Sequence, residues 1–393
     1  SGTEKVKSID GKTTDNINSN LTGLADITKA NRLTENSSLA FMGTTKQGAF
    51  DVKRDIALAW LLEPNPSNRP NSNILVPWRN GQDLTRRPRY MWIIDNFNLS
   101  HEEAALYEEP YSFIDKNVRK FREENPRDWY RKEWWQLYAQ RPDMRREMEN
   151  KLRYVCTPTV AKHRLFDWLL VPINPDHQLI VFARSDDYFF GVLHSRLHEV
   201  WARAQGTQLR ERESGFRYTP TTCFETFPFP WAPGEEPVDD PLVQKIAESA
   251  KTLCELRDNW LNPPEWTTTE VLEFPGTVGG PWDRYIERDE GGKVKAEEVK
   301  VPGGETIRVG TVKYPRTVPK GDDCAKKLKK RTLTNLYNER PAWLAHAHQT
   351  LDTAVAQAYA QTTHDPSWTP DMTDEEILEK LLALNLARAG STQ

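Results

Sequence analysis

The chain has 393 residues, which is enough for two or three domains with hydrophobic cores of their own. Hydrophobic residues make up only 37%, but 14 Trp, 14 Phe and 12 Tyr supply large apolar surfaces, so the composition excludes a disordered chain. The formal net charge of -4 excludes binding of nucleic acid through overall positive charge, and such binding would need a local basic face or a further domain.

Two features of the sequence bear on its compartment. No apolar run reaches the length of a membrane helix, and the N-terminal SGTEKVKSID has no signal-peptide core. We therefore expect no membrane partner and a cytoplasmic location. Cys156, Cys223, Cys254 and Cys324 are too far apart in sequence to suggest zinc or a disulfide framework, so we expect reduced thiols in small core sites.

The first hundred residues predict short strands and turns. Asn80-Gly81 lies between the apolar runs ILVPW and YMWIID, a pattern typical of a tight turn between antiparallel strands. Four arginines surround this turn: Arg79, Arg86, Arg87 and Arg89. They form either a charged rim that keeps a sheet soluble or contacts to a nucleic-acid backbone, because arginine forks match phosphate geometry.

Helices are predicted next. Ser100 and Glu103 have the spacing of a capping box. The aromatic run 129–137 predicts core packing, with stacking on unpaired bases as the alternative. From Lys151 to Pro172 the pattern predicts strand, turn and strand, with a polar centre between the apolar runs. The polar centre contains Thr157, Thr159, Lys162, His163 and Arg164.

The stretch from Asp186 to Trp231 is the most informative for function. A short apolar run leads into a helix predicted from Ser195 to Ala204, and a loop rich in hydrogen-bonding groups follows. Its candidate base-reading residues are Gln208, Arg210, Glu211, Arg212, Glu213, Ser214, Arg217 and Tyr218. Arginine can fork onto guanine, glutamine onto adenine, and glutamate can accept from cytosine. The alternative is a solvated loop with internal Arg/Glu pairs.

The C-terminal part predicts mainly helices after an acidic, proline-rich boundary near residues 232–240. An amphipathic helix is expected from Val243 to Leu261, and Thr373 to Glu376 forms a capping box before ILEKLLALNLA. Lys326 and Lys327 belong to a basic cluster that is either a solvated face or a clamp on a nucleic-acid backbone.

Several of these motifs, in this order, resemble one family. The order FFGVLHSRLHEVW, GTQLRERESGFRYT and FETFPFPW is similar to the target-recognition region of large bacterial adenine-specific DNA methyltransferases, including the MmeI-like (type IIL) restriction-modification enzymes. The upstream NPSNRPNSNILVPWRNGQDLTRRPRYMWIIDNFN and the C-terminal helices resemble its flanking segments. The resemblance covers roughly Ser38 to Arg388, with a weak interval near 280–330.

The resemblance implies an α+β fold. We expect a mixed antiparallel-sheet and helix target-recognition domain at 38–232 and a smaller, mainly helical C-terminal domain at 233–393, with a charged insertion at about 280–330. Residues 1–37 would be a linker or the end of a truncated methyltransferase domain.

The resemblance also implies double-stranded DNA as the partner and a methyltransferase domain in the same or a partner chain. The 208–218 loop would read bases. Arg86, Arg87, Thr159, Lys162, His163, Arg164, Lys326 and Lys327 are candidates for DNA-backbone or secondary contacts.

The chemistry of methyl transfer is not expected in this chain. It has no matching glycine-rich turn for S-adenosylmethionine, and Asn262-Pro263-Pro264-Glu265 has Glu where an aromatic ring must stack on the flipped adenine. We interpret this tetrapeptide as a helix stop and expect no catalytic residues, no metal site, and S-adenosylmethionine only in the missing methyltransferase domain.

Two other functions remain open. Asp283 with Glu298 and Lys300 loosely matches the spacing of a metal-dependent nuclease. The Arg/Glu loop would also suit a module that docks on a partner subunit or a phage inhibitor. His194 and His198 are spaced like a zinc pair, but no Glu follows the first His to act as a base.

Overall fold

The computed structural model describes residues 7–9, 12–14, 26–208 and 215–391, which form the predicted α+β fold. The strands in chain order are β1 (Lys7–Ile9), β2 (Lys12–Thr14), β3 (Ala40–Met42), β4 (Asp51–Val52), β5 (Leu75–Arg79), β6 (Trp92–Ile94), β7 (Arg153–Pro158), β8 (Val160–Ala161), β9 (Asp167–Leu170), β10 (Asn174–Pro175), β11 (Leu179–Phe182), β12 (Thr207–Gln208), β13 (Phe216–Arg217), β14 (Thr267–Thr277), β15 (Ala296–Lys300) and β16 (Thr306–Pro319).

Helices surround these strands and dominate the C-terminal third. In chain order they are α1 (Arg54–Leu62), α2 (Gly81–Thr85), α3 (His101–Ala105), α4 (Glu108–Ile114), α5 (Lys120–Glu123), α6 (Asp128–Lys132), α7 (Pro142–Met148), α8 (Asp187–Leu193), α9 (Arg196–Gln205), α10 (Pro241–Leu261), α11 (Asp322–Leu328), α12 (Leu333–Glu339), α13 (Ala342–Thr363) and α14 (Asp374–Ser391). Within the described residues, no helix has both the length and the apolar character that a membrane crossing requires.

The strands form small sheets rather than one large sheet. Beyond the β1-β2 pair, the sheet orders are β10-β5-β6-β4, β3-β11-β7-β9, β12-β13-β8 and β14-β16-β15. Most pairs are antiparallel, whereas β10 runs parallel to β5. The β7-β8 region is shared by two of these sheets, because β7 pairs with β11 and β9 while β8 pairs with β13.

The predicted tight turn at Asn80-Gly81 is wrong. Strands β5 and β6 are antiparallel as expected, but Asn80 is the N-cap of α2. Its side chain accepts hydrogen bonds from the backbone of Gln82 and Asp83, and the Asp83 carboxylate accepts one from the Asn80 backbone. This capping box satisfies otherwise unpaired helix donors, so the chain starts a helix instead of turning back.

Other local predictions are confirmed. Ser100 and Glu103 form the expected capping box at the start of α3, and Thr373 and Glu376 form the one at the start of α14. Helix α10 ends at Leu261, as the proline pair that follows it predicts. In the aromatic run, Trp134, Trp135 and Leu137 are buried, which supports core packing there.

Two large hydrophobic cores hold the molecule together. The first joins β7, β11, α8 and α9 to the C-terminal helices α10, α13 and α14. It therefore contains residues from both sides of the expected boundary at 232–240. Helix α10 packs closely on α8 and α13, and this contact carries the first core across that boundary.

The second core joins the β5-β6 region to a distant part of the chain. Much of the expected charged insertion at about 280–330 is sheet, because β15 and β16 lie wholly within it and β14 precedes it. Phe274 of β14 and Trp282 are buried against Trp92, and Tyr314 of β16 packs edge-on against Trp282. The charged residues of β14 and β16 lie largely on their solvent-facing side, which explains why the segment resembles an exposed insertion in sequence.

Candidate functional site

The candidate site is a cleft of ≈ 590 Å³ between α2, the β7-β8 turn and the edge of α12. It brings together several residues that sequence analysis selected separately: Arg86, Thr159, Lys162, His163 and Arg217. The other lining residues are Met42, Gly81, Gln82, Thr85, Val160, Ala161, Leu165, His177, Gln178 and Thr334.

The backbone fixes the walls of this cleft. Gly81 is packed tightly, since a Cβ there would lie 3.3 Å from the Gln178 carbonyl oxygen. The Thr159 amide donates to the same carbonyl at 2.7 Å, so the start of α2, the β7-β8 turn and the start of β11 converge at Gln178. On the opposite side, the Thr334 hydroxyl donates to the Thr85 carbonyl at 3.1 Å and attaches α12 to α2.

The cleft is electropositive although the whole chain is acidic. Arg86, Lys162 and Arg217 line it and are exposed, and no Asp or Glu is among the described residues that line it. The guanidinium groups of Arg86 and Arg217 have no hydrogen bond or ion pair with other described residues. Three cations without lining carboxylates in a concave surface attract anions, because the surrounding protein concentrates their field. Arginine is also the side chain best suited to phosphate oxygens and guanine edges.

The predicted base-reading loop is anchored beside this cleft. Strands β12 and β13 pair as the two sides of a hairpin, and β13 pairs with β8, with Arg217 opposite Val160. Arg210, Glu211, Arg212, Glu213 and Ser214 lie outside the described residues, and Gln208 is the last residue of β12. The two described strands of the hairpin are therefore attached through β13 to β8, which forms one wall of the cleft.

Gly215 makes this attachment possible. It has φ +80, and a Cβ built on it would lie 1.9 Å from the Ala161 carbonyl oxygen. Glycine adopts this backbone conformation at low cost, and the absence of a side chain lets the hairpin approach β8.

Two of the predicted contact residues are corrected by the structure. Tyr218 is 1% exposed, and its hydroxyl lies 3.0 Å from Nε2 of His198. Arg164 is 3% exposed and donates to the Thr157 hydroxyl and to the carbonyls of Pro158 and Phe216. Burial lowers the pKa of Arg164 to about 10. Neither side chain is accessible to a nucleic acid, because both are enclosed between the β7-β8 turn and the base of the hairpin.

The remaining predicted residues lie elsewhere. Arg87 donates to the Leu261 carbonyl at 3.0 Å and lines a second cavity, of ≈ 480 Å³, that shares Arg86 with the cleft. This second cavity has mixed charge, since Asp83, Asp167 and Asp258 also line it. On α11, Lys326 pairs with Asp323 and Lys327 lies over the ring of Trp266 at 5.4 Å. Neither lysine lines the cleft.

His194 and His198, which were considered as a zinc pair, are both buried and hydrogen-bonded within the protein. His194 belongs to a network that also contains His348. Nε2 of His194 lies 2.9 Å from the Tyr337 hydroxyl and accepts from Arg257, while the same hydroxyl lies 2.8 Å from Nε2 of His348. Burial holds the pKa of His194 well below its usual value and lowers the pKa of His348 to about 3, so both rings are neutral near pH 7.

No group of three or more potential metal ligands occurs within the part of the chain that the structure describes. Of the residues considered for a nuclease, Asp283 accepts a hydrogen bond from the Gly279 amide and pairs with Arg288 at 3.3 Å. Glu298 is an exposed residue of β15.

Five polar residues of the cleft were not predicted from the sequence: Gln82, Thr85, His177, Gln178 and Thr334. A signal for Gln82 was present, because Asn80 followed by Asp83 has capping-box spacing and places Gln82 in the first turn of a helix. Contacts between distant segments bring the other residues to the cleft, among them His177, Gln178 and Thr334. Local sequence patterns do not predict such contacts.

Comparison with known proteins bears on this same region. Residues 67–231 match the family model described as MmeI, target recognition domain. The resemblance to MmeI-like enzymes is confirmed over this segment. The matched segment includes α2, the β7-β8 turn and both strands of the hairpin. Among the described residues that line the cleft, Met42 lies before this segment and Thr334 lies after it.

A solved structure shares the fold over nearly the whole chain. It is described as type IIL restriction-modification enzyme MmeI in complex with DNA, and the match has 16% sequence identity and a TM-score of 0.59. It covers 96% of this chain and 39% of the MmeI chain, so this chain spans well under half of the length of that enzyme. No curated protein matches the sequence.

Proposed function

We propose that this chain is the DNA sequence-recognition part of a bacterial adenine-N6 DNA methyltransferase that belongs to a restriction-modification or phage-defence system. One observation carries the proposal: the segment that matches a target recognition domain contains most of an electropositive cleft, next to the base of the predicted base-reading hairpin. Two arginines in this cleft have no partner among the residues that the structure describes.

The proposed roles of the cleft residues and of the hairpin follow from the chemistry of their side chains. Arg86 and Lys162 hold backbone phosphates of a DNA duplex, which fixes the register of the protein on the DNA. The hairpin that includes Arg217 enters the major groove, where each base pair presents a distinct pattern of donors and acceptors. A local cluster of cations suffices for this purpose even though the chain carries a net charge of -4.

Catalysis belongs to another domain in this proposal. The chain selects the target adenine, and a methyltransferase domain in the same or a partner chain binds S-adenosylmethionine, accepts the flipped base and transfers the methyl group. The proposed setting of the complete enzyme is the cytoplasm, where its DNA substrate is found.

The test compares binding of short random-sequence DNA duplexes by the wild-type chain and by Arg86→Ala and Arg217→Ala variants. We expect the Arg86→Ala variant to bind all duplexes more weakly and to reduce the slope of log affinity against log salt by about 1. The Arg217→Ala variant should additionally change the base preferred at one position, at a cost of about 1–3 kcal/mol.

Lys251→Ala is the matched control, because Lys251 is an exposed cation on α10 that does not line the cleft. Equal loss of affinity in the control and in both arginine variants would contradict the proposal. Binding that does not respond to salt would also contradict it and would favour docking on a protein partner.

A further inference from the structure

Helix α12 lies outside the segment that matches the target recognition domain, yet it forms part of the cleft wall. Asn338, in its last turn, is exposed, and its side-chain oxygen contacts the segment that follows β8. Oδ1 of Asn338 lies 2.8 Å from Nζ of Lys162 and 2.9 Å from Nε2 of His163.

These two contacts determine which nitrogen of His163 carries a proton. A lysine ammonium group has donors and no acceptor, so the atom of Asn338 that it contacts must be the amide oxygen. An amide oxygen only accepts hydrogen bonds, and Nε2 of His163 must therefore carry the hydrogen that it donates. In the neutral ring, Nδ1 then has no hydrogen and presents a lone pair.

The His163 ring also lies near Tyr337, the neighbour of Asn338 on α12. Its centroid lies 6.1 Å from that of Tyr337, whose hydroxyl is fixed by His194 and His348 in the buried network. Nδ1 of His163 has no hydrogen-bond partner among the described residues. His163 lines the cleft together with cationic side chains that can only donate, so its unprotonated nitrogen is an acceptor on a cleft-lining ring.

We propose that Asn338 is a positioning residue that determines specificity, because it holds His163 in the Nε2-H form and so reserves Nδ1 for an exocyclic amine of adenine or cytosine. This inference rests on the proposed DNA-binding function. The amine of adenine and that of cytosine are the donors that bases present in the major groove, whereas guanine and thymine present acceptors there. The same oxygen also directs Lys162, so a single side chain of the C-terminal region arranges one donor and one acceptor in the cleft.

The first measurement is direct and needs no DNA. Imidazole ¹⁵N chemical shifts of His163 in the full chain, assigned with a His163→Gln variant, distinguish a protonated from an unprotonated nitrogen. We expect Nδ1 to be unprotonated and Nε2 protonated in the neutral ring of the wild-type chain. In the Asn338→Ala variant we expect both neutral tautomers of the His163 ring to be populated. A wild-type ring that carries its proton on Nδ1 would overturn the inference.

The second measurement selects preferred duplexes from a random-sequence pool. Asn338→Ala should reduce the preference for an amine-bearing base at one position by about tenfold and leave the other positions unchanged. Asn335→Ala, on the same helix but with its amide bonded to the Lys330 carbonyl, is the control and should leave every position unchanged.

The two measurements separate the inference from the proposed function. A wild-type chain with no sequence preference contradicts the proposed function, and the specificity role of Asn338 is lost with it, whereas the nitrogen shifts still decide the form of His163. A wild-type preference that Asn338→Ala leaves intact overturns the inference alone.

Discussion

At the residue scale, buried polar side chains are paired with one another beneath the cleft. Nδ1 of His198 donates a hydrogen bond to the Leu193 carbonyl, and Nε2 accepts one from the Tyr218 hydroxyl. Tyr337 joins His194 to His348 in the same core. Such groups are costly to bury without partners, and the pairing keeps the base of the hairpin and the end of α12 in one arrangement.

These histidines give the protein a defined pH dependence. Burial lowers the pKa of His198 and of His348 to about 3, whereas an unfolded chain titrates histidine near pH 6.5. Between these values the unfolded state binds more protons, so the stability present above pH 6.5 is lost as the pH falls, by about 1.4 kcal/mol per pH unit for each histidine. Burial also raises the pKa of Asp352 to about 6, which offsets part of this loss below that pH.

We therefore expect the free energy of unfolding, measured in urea, to decrease from about pH 7 to about pH 5. The His198→Asn variant keeps a donor near the Leu193 carbonyl but removes one imidazole, so it should lose stability at neutral pH and show a smaller decrease on acidification. An unchanged pH slope in this variant would show that His198 is not kept neutral by the fold.

At the element scale, the β12-β13 hairpin depends on close contact with β8. Gly215 and Gly279 offer a matched comparison, because their φ angles are +80 and +79. A Cβ at Gly279 meets nothing within 4 Å, whereas one at Gly215 would collide with the Ala161 carbonyl. Gly279→Ala should cost about 1 kcal/mol of stability through its backbone conformation alone.

Gly215→Ala should cost more than Gly279→Ala, because it must also separate β13 from β8. We expect it to weaken sequence preference in a DNA competition assay while Gly279→Ala leaves that preference intact. Equal effects of the two substitutions on stability and on preference would mean that the β13-β8 contact does not position the hairpin.

The elements differ in how far the sequence predicts them. Helix boundaries at Ser100, Leu261 and Thr373 follow from capping and proline chemistry, which acts within a few residues. The hairpin at Asn80-Gly81 was predicted from the same local rules and is wrong, because the Asp83 carboxylate completes a competing capping box. The role of Gly215 depends on β8, about fifty residues earlier, and no local pattern contains that contact.

At the scale of the whole molecule, the C-terminal half completes the cores of the first half. Trp282 is 1% exposed, stacks on Trp92 at 5.6 Å and donates from its indole nitrogen to the Leu75 carbonyl. Asn31 and Asn385 likewise exchange hydrogen bonds between the segment that precedes β3 and α14. The sequence predicted the recognition segment and the later helices, but these contacts join segments some 190 to 350 residues apart and follow no local pattern.

Trp282→Ala should therefore destabilise more than the local sheet. We expect a loss of about 3–5 kcal/mol in the free energy of unfolding, because a large aromatic side chain leaves a cavity between the two halves. Val238→Ala, at a site that is 73% exposed, is the control and should change stability by less than about 0.5 kcal/mol. If Trp282→Ala lowers the free energy of unfolding no more than Val238→Ala does, the second core does not depend on this contact.

The proposed function of this chain is to select a DNA sequence through the electropositive cleft and the hairpin beside it. The most direct measurement is selection of preferred duplexes from a random-sequence pool by the wild-type chain and by an Arg86→Ala, Arg217→Ala double variant, at several salt concentrations. We expect the wild-type chain to enrich a defined motif with an affinity that falls steeply with salt, and the double variant to lose this enrichment. Equal enrichment by both proteins, or none by the wild-type chain, would contradict the proposed function.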